Sequence, residues 1–376
     1  QSPRGRDPVF LNTAWTIHIL RGIFLGVAVA LLAVPLSNFY EAPQLAGLLL
    51  ASAIIPVVQG FNSIQMYVAE RELQYGRLFS LHISMQVLGV LVMIGLSLAL
   101  HSVWALVIGS LVSTIGTTIL SHLVLGGQRC RFGFEREAAL SLFNFGRFIF
   151  FATIAGFFVS NGDRAVLGKF VSLDQLAIFN IGYFLASVPI LLSIDLGDKI
   201  MFPLYARRPP AENVENKQKI NLARMGLSFL AVTALTILAL IGDWLVKLLY
   251  DPRYEAAGPV LVLVALAAMP VVLIQSYPRM PLASGHSGRF AAFSVARAAL
   301  QLGILLLTVP TFGIWGAAIT PGLTALAIYP LLIWMISPYK GWDPIHDFLL
   351  AIIGAVIIGS VGWYHAETLK PFLDLL

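Results

Sequence analysis

Charge is scarce in this sequence. Only 11% of its 376 residues are Asp, Glu, Lys or Arg, against about 25% in a soluble domain. So few charges cannot clothe a 40.9 kDa chain in a water-facing surface. That excludes a soluble enzyme, a nucleic-acid module and a disordered scaffold. Cysteine is nearly absent: Cys130 stands alone, so neither an intrachain disulfide nor a Cys-rich metal site can form. The seven histidines, among them His18, His82, His101, His122 and His286, are scattered without metal-ligand spacing, and no metal or other cofactor is expected. No Gly-x-x-x-x-Gly-Lys loop occurs, so the chain carries no ATP motor. No outer loop offers the carboxylate pair a membrane glycosyltransferase needs for acid–base work.

Apolar residues fill the space that charge leaves. They make up 58% of the chain, and the mean hydropathy is +0.84. A membrane-crossing helix needs about 20 mostly apolar residues. Eleven segments qualify, near 12–36, 43–67, 79–100, 103–125, 143–171, 174–199, 221–242, 258–278, 288–309, 312–336 and 347–364. Long apolar runs argue against a β-barrel, whose strands alternate. The expected fold is therefore all-α and polytopic. Asn161-Gly162-Asp163-Arg164 is expected to interrupt the fifth span, and Ser172 with Asp174 to cap the sixth. Asp243 to Tyr254 reads as a short amphipathic helix lying at the interface.

The basic residues orient the chain. With the N-terminus in the cytoplasm, inner segments hold sixteen of the 24 Lys and Arg, outer segments five, and spans three. This is a strong positive-inside asymmetry. It also accounts for the net charge of +5 without a nucleic-acid partner. Trp15, Trp334 and Trp342 fall near the inner interface, and Trp104, Trp244, Trp315 and Trp363 near the outer one. Six prolines, Pro35, Pro56, Pro189, Pro270, Pro321 and Pro330, lie inside spans, where kinked helices suit a transporter but also occur in static bundles.

Charge at bilayer depth points to function by default. Arg21 lies near the middle of the first span, too deep to snorkel readily. It either meets a carboxylate or helix-end carbonyls, or faces a water-filled cavity; its depth favours the second. Arg297 is flanked by Ser294 and Gln301 on one helical stripe, which joins helices or binds ligand. For Arg147, near the inner interface, snorkelling and ligand binding weigh equally. Asp163 and Arg164, adjacent on a helix, are expected to find separate partners. Asp195 is the more ambiguous acid of its span end, while Asp198 and Lys199 read as a solvated helix terminus. Gln59, Asn62 and Gln65 form a stripe suited to interhelical hydrogen bonds.

Several segments carry a resemblance. Arg4-Gly5-Arg6-Asp7, Leu11-Asn12-Thr13-Ala14-Trp15 and Ile19-Leu20-Arg21-Gly22 are similar to the third-helix region of polysaccharide-exporting flippases. So are Phe39 to Pro43 and Val103 to Val107. Phe143 to Gly182, with Asn161-Gly162-Asp163-Arg164-Ala165-Val166-Leu167-Gly168-Lys169-Phe170, resembles the start of the second lobe of Wzx-type oligosaccharide flippases. These belong to the multidrug/oligosaccharidyl-lipid/polysaccharide exporter superfamily. Leu249 to Tyr254 and Gly313 to Ala318 resemble later parts of the same fold. At 177–179 the chain has Ala-Ile-Phe where the family carries glycine. The resemblance implies two lobes around a central cavity. Residues 1–125 would be a partial N-terminal lobe of four helices and 126–142 the cytoplasmic connection. Residues 143–337 would be a six-helix C-terminal lobe and 338–376 an additional helix. Two N-terminal helices of the family are then expected to be missing, as is the natural start, since the chain begins at Gln1.

The resemblance and the intramembrane arginines together imply a flippase, not an enzyme. It would move an isoprenoid-pyrophosphate-linked oligosaccharide across the plasma (inner) membrane by alternating access, for O-antigen, capsule or exopolysaccharide synthesis. Guanidinium groups replace phosphate hydration well, because they bind phosphate oxygens bidentately. Arg21 and Arg297, then Arg164 and Arg147, with Asn161 and Gln301, are the candidate substrate-binding residues. Asp163 and Asp195 are candidates for coupling H+ or Na+. Expected partners are the lipid-linked oligosaccharide, membrane lipids, and a polymerase or chain-length regulator of the pathway. A cation-coupled drug exporter on the same scaffold would call for more acids than arginines in the spans. A membrane polymerase or glycosyltransferase would need a large outer loop.

Overall fold

A computed structural model describes residues 7–72, 74–127 and 130–374. Arg4, Arg6 and Arg129, used above to orient the chain, lie outside the described residues. Among the described residues every regular element is helical, and ten are long and apolar enough to cross a membrane. The pair 136–143 and 146–170 supplies an eleventh when taken as one bent span. The chain divides into two compact units, Gln1–Gly146 and Arg147–Leu376.

In the first unit, α1 (Pro8–Phe39) starts with Pro8 at its first position, and Asp7 caps it by accepting the Val9 N–H at 3.0 Å. Proline has no amide to lose there. The second span is not the single helix expected. It runs as α2 (Pro43–Ser52), α3 (Ile54–Gly60) and α4 (Gln65–Arg71). Pro56 cannot donate to the carbonyl four residues back, and the helix breaks at Ala53. The second break, at 61–64, is filled by side chains of neighbouring helices. Trp15 Nε1 donates to the Asn62 carbonyl at 3.0 Å, and His122 bonds the Phe61 carbonyl at 2.8 Å. Thr118 donates to Asn62 Oδ1 at 2.7 Å, and Ser121 accepts from the Ser63 N–H. Backbone at membrane depth is tolerated only when satisfied in this way. The role expected of Asn62 is thus its role here. Trp15, expected near the inner interface, is 7% exposed and committed to this turn.

The α5 (Tyr75–Leu100) and α6 (Trp104–Leu123) helices form an antiparallel pair beside α3. A Cβ at Gly22 would sit 2.5 Å from the Pro56 carbonyl oxygen and 3.0 Å from the Gly60 Cα, and would keep α1 from meeting α3. The segment 131–135 is tied to α1 by three side chains. Asn12 Oδ1, Thr16 Oγ1 and Thr13 Oγ1 accept the N–H groups of Arg131, Gly133 and Glu135 at 3.0–3.1 Å.

The boundary between units falls within α7 (Arg136–Phe170). Contrary to expectation, Asn161 to Arg164 do not interrupt α7. Gly162 is buried under Leu302 and the polar side chains reach partners across the bundle, so the helix continues. The second unit then comprises α8 (Leu173–Arg207), α9 (Val214–Leu249), α10 (Ala257–Ala267), α11 (Met269–Ile274), α12 (Arg279–Ala283), α13 (Ser287–Phe312), α14 (Ile314–Ile336), α15 (Pro344–Tyr364) and α16 (Lys370–Leu373). Single 3₁₀ turns lie at Pro252–Tyr254 and Ser337–Tyr339. Ser172 caps α8 and shares a reciprocal capping box with Gln175.

Residues 257–274 are the axis of this unit: 83% of the span is buried, and α8, α9 and α14 pack round α10. Gly182 lets α8 reach the α10 backbone at Ala257 and Leu261. Pro270 ends the continuous helix and starts α11. The amphipathic interfacial helix expected at 243–254 is instead the last two turns of α9. No breaker follows Gly242, and an Asp243–Lys247 ion pair at 2.7 Å supports the continuation.

Candidate functional site

The polar quartet on α7 meets polar residues of α8 and α13 in the second unit. Asp163 is 2% exposed. Its Oδ1 accepts the Arg164 N–H at 2.8 Å, and its Oδ2 is buried with no hydrogen-bond partner. The Arg164 side chain turns elsewhere: Nε donates to Asn180 Oδ1 at 2.9 Å and Nη1 to Asn161 Oδ1 at 3.1 Å. Its guanidinium lies 5.2 Å from the centre of the Tyr183 ring. Asn161 in turn donates to the Phe157 carbonyl at 3.2 Å.

From α13, Gln301 donates to the Val159 carbonyl at 2.7 Å and keeps its Oε1 buried and unpartnered. Arg297, one turn earlier, has a buried Nε without a hydrogen-bond partner. Among the described residues it has no acidic partner. Arg164 thus joins α7 to α8 through Asn180 and Tyr183, and Gln301 joins α13 to α7 at Val159, with Arg297 one turn away on α13. Of the stripe on α13, Ser294 bonds only its own helix, at the Phe290 carbonyl.

Three sequence candidates lie elsewhere. Arg147 is exposed and stacks 4.7 Å over the Phe148 ring, about 21 Å of helix before Asn161. Asp195 pairs with Lys199 at 2.7 Å, its side chain 60% exposed. Arg21 belongs to the first unit, where it is exposed and near His18. Asp198 corrects the expectation of a solvated helix end. It holds Arg279 of α12 in a two-pronged ion pair, with Nη2 to Oδ2 at 2.6 Å, joining α8 to α12.

A second polar centre escaped the sequence reading. Arg224, assigned there to the cytoplasmic stretch, is fully buried in α9. It donates to the Gly341 carbonyl at 3.0 Å and to the hydroxyls of Tyr205 at 3.2 Å and Tyr277 at 3.4 Å. Its guanidinium lies 4.1 Å from the centre of the Tyr277 ring. Tyr277 passes the contact to Asp347, donating at 2.8 Å. Asp347, 5% exposed, also receives Tyr329, Trp342 and His346, and His346 reaches Ser228 at 3.2 Å. The available signal was spacing: Asn216, Arg224 and Ser228 fall at multiples of four on one face of α9. Among the described residues no group of three His, Cys, Asp or Glu could hold a metal ion.

Comparison with known proteins gives three findings. A family model described as "Polysaccharide biosynthesis protein" matches residues 3–259. The teichuronic acid biosynthesis protein TuaB of Bacillus subtilis is 22% identical over 368 residues, covering 96% of this chain and 72% of TuaB. Two solved structures share the fold. Lipid II flippase MurJ, in an inward closed conformation, matches with a TM-score of 0.66 at 14% identity, covering 100% of this chain and 83% of that one. An inward-facing multidrug resistance MATE family transporter matches with a TM-score of 0.67 at 15% identity, covering 89% and 83%.

Proposed function

For a chain that belongs to the polysaccharide biosynthesis protein family, we propose transport without bond chemistry: translocation of an isoprenoid-pyrophosphate-linked oligosaccharide across the plasma membrane. The observation that carries this is Arg297, a guanidinium within a membrane span whose buried Nε has no hydrogen-bond partner and which forms no ion pair among the described residues. A charge at that depth is costly when uncompensated, and an anionic ligand compensates it. Diphosphate suits the geometry, because Arg binds phosphate oxygens through parallel N–H donors. Arg164 adds a second cation, while Asn161 and the open Oε1 of Gln301 offer amide groups to sugar hydroxyls.

Site exposure would alternate between the two membrane faces. Arg21 and Arg147 would meet the headgroup along its route. The unpartnered Oδ2 of Asp163 is the natural place for a coupling H+ or Na+; Asp195, already paired with Lys199, is less suited. A polymerase or chain-length regulator of the same pathway would receive the flipped lipid.

The test is translocation in proteoliposomes loaded with an isoprenoid-pyrophosphate oligosaccharide, read by oxidation of sugar on the far leaflet with a non-permeant reagent. One charge-assisted hydrogen bond contributes about 1.5–3 kcal/mol, so Arg297→Ala should slow transport about 10- to 100-fold. Arg297→Lys should retain part of the rate. Wild-type transport by Arg297→Ala at equal protein abundance would defeat the proposal. Transport of cationic drugs in place of the lipid-linked sugar would point to an exporter instead.

A further inference from the structure

Between the start of α13 and the end of α14 lies a groove of about 550 Å³. Gly288, Ala292 and Ala296 recur every fourth residue, so their small side chains share one helix face and form its floor. Leu331, Trp334 and Met335 make the opposite wall. The groove is therefore apolar along its length and basic at its lip. Arg289 is exposed there, 5.9 Å from the centre of the Tyr339 ring. Phe148 lies against Gly288 and carries the Arg147 guanidinium over its ring. Among the described residues neither Arg147 nor Arg289 has an acidic partner. Trp334, 74% exposed beside the groove, marks the depth at which aromatic side chains meet headgroups. By the distribution of basic loops this end faces the cytoplasm.

We propose that the groove binds an anionic glycerophospholipid of the cytoplasmic leaflet, with one acyl chain along the alanine floor and the phosphate at Arg289. Charge complementarity selects an anionic headgroup, since the exposed Arg289 guanidinium lines the opening and has no acidic partner among the described residues. Depth selects a resident lipid over the transported one. Arg289 precedes Arg297 by eight residues, about 12 Å of helix. Arg289 lines the groove, whereas Arg297 is not among its lining residues and has its Nε buried. The site is thus separate from the polar centre on α7, α8 and α13, and its occupancy is measurable without transport.

The experiment is native mass spectrometry of the full chain in detergent, titrated with palmitoyl-oleoyl phosphatidylglycerol or with phosphatidylcholine of the same chains. The wild type should retain the anionic lipid about fivefold more strongly, the value of one basic contact at a membrane surface. Arg289→Gln should erase that preference and Arg289→Lys should keep it. Ala292→Phe, which fills the floor, should release both lipids. Leu331→Trp fills the groove from the other wall and gives the same reading should Ala292→Phe fail to elute as a single species. Equal retention of the two lipids by the wild type, or an intact preference in Arg289→Gln, would overturn the proposal. So would stoichiometric displacement of phosphatidylglycerol by an isoprenyl phosphate, which would make the groove a tail site for the carried lipid.

Discussion

Asp347→Asn is the sharpest probe of the buried network in the second unit. The carboxylate accepts from Tyr277, Tyr329, Trp342 and His346 at 2.6–3.2 Å. An asparagine keeps the shape and most of these bonds. Its amide oxygen must take the Oδ2 position, because the Trp342 indole only donates. Its NH2 then faces Tyr277 and His346, each of which can accept. What disappears is the negative charge that answers Arg224, whose side chain is 0% exposed. Removing one member of a buried ion pair costs about 3–5 kcal/mol. Tyr277 lies between the two charges, which weakens their attraction, so the lower end, about 3 kcal/mol, is expected. At about 2–4 °C per kcal/mol for a unit of this size, the melting temperature should fall by roughly 6–12 °C. Thermal unfolding in detergent, followed by near-ultraviolet circular dichroism, reads the shift. Arg224→Met should lower the same transition. The double variant should recover about 1 kcal/mol or more relative to the sum of the two singles. A shift below 2 °C for Asp347→Asn, or strict additivity in the cycle, would refute the view that the two residues neutralise each other.

Four other outcomes follow from the geometry. Asp163→Asn should make transport independent of an imposed ion gradient while equilibrium retention of the lipid-linked sugar persists; a transport rate still proportional to the gradient would disprove the coupling role. Gly182→Val should reduce the amount of folded protein in membranes sharply, because its Cβ would sit 2.7 Å from the Ala257 carbonyl oxygen; this is measurable by fluorescence-detected size exclusion. Asp198→Asn should cost no more than about 1 kcal/mol in thermal stability, since the pair with Arg279 is partly solvated at 41% and 29% side-chain exposure. Asn12→Leu combined with Thr16→Val should free two backbone N–H groups of 131–135, and limited proteolysis should then cleave that segment faster.

Helices and their number were legible because hydropathy needs only a window of residues, and the span from 257 to 274 is apolar on every side. Helix breaks were half legible. Pro56 and Pro270 do break their helices, yet Pro35, Pro189 and Pro321 do not, since neighbours decide whether a freed carbonyl is satisfied. The polar quartet on α7 was visible as chemistry but misread as a break, because only packing shows that Gly162 fits under Leu302. Arg297 and Gln301 stood out as polar residues in an apolar run. Arg224 did not, because it lies three residues inside a predicted boundary and charges there look like loop charges. Asp347 was hidden for the same reason. Its four donors come from residues 277, 329, 342 and 346, the first two from other parts of the chain and brought to it only by the fold. Asn12, Thr13 and Trp15, part of the motif on which the family resemblance rests, turn out to fasten backbone segments.

Those fastenings impose an order on biogenesis. Asn12, Thr13 and Thr16 meet amides that lie 117–122 residues later in the chain, while synthesis delivers the N-terminal part first. α1 is therefore made before the amides that these side-chain oxygens accept. The three contacts are complete only once residue 135 has left the ribosome and the segment 131–135 meets the first turns of α1. A nascent chain halted before that point should leave α1 open to exchange and to proteases, and one halted just beyond it should not.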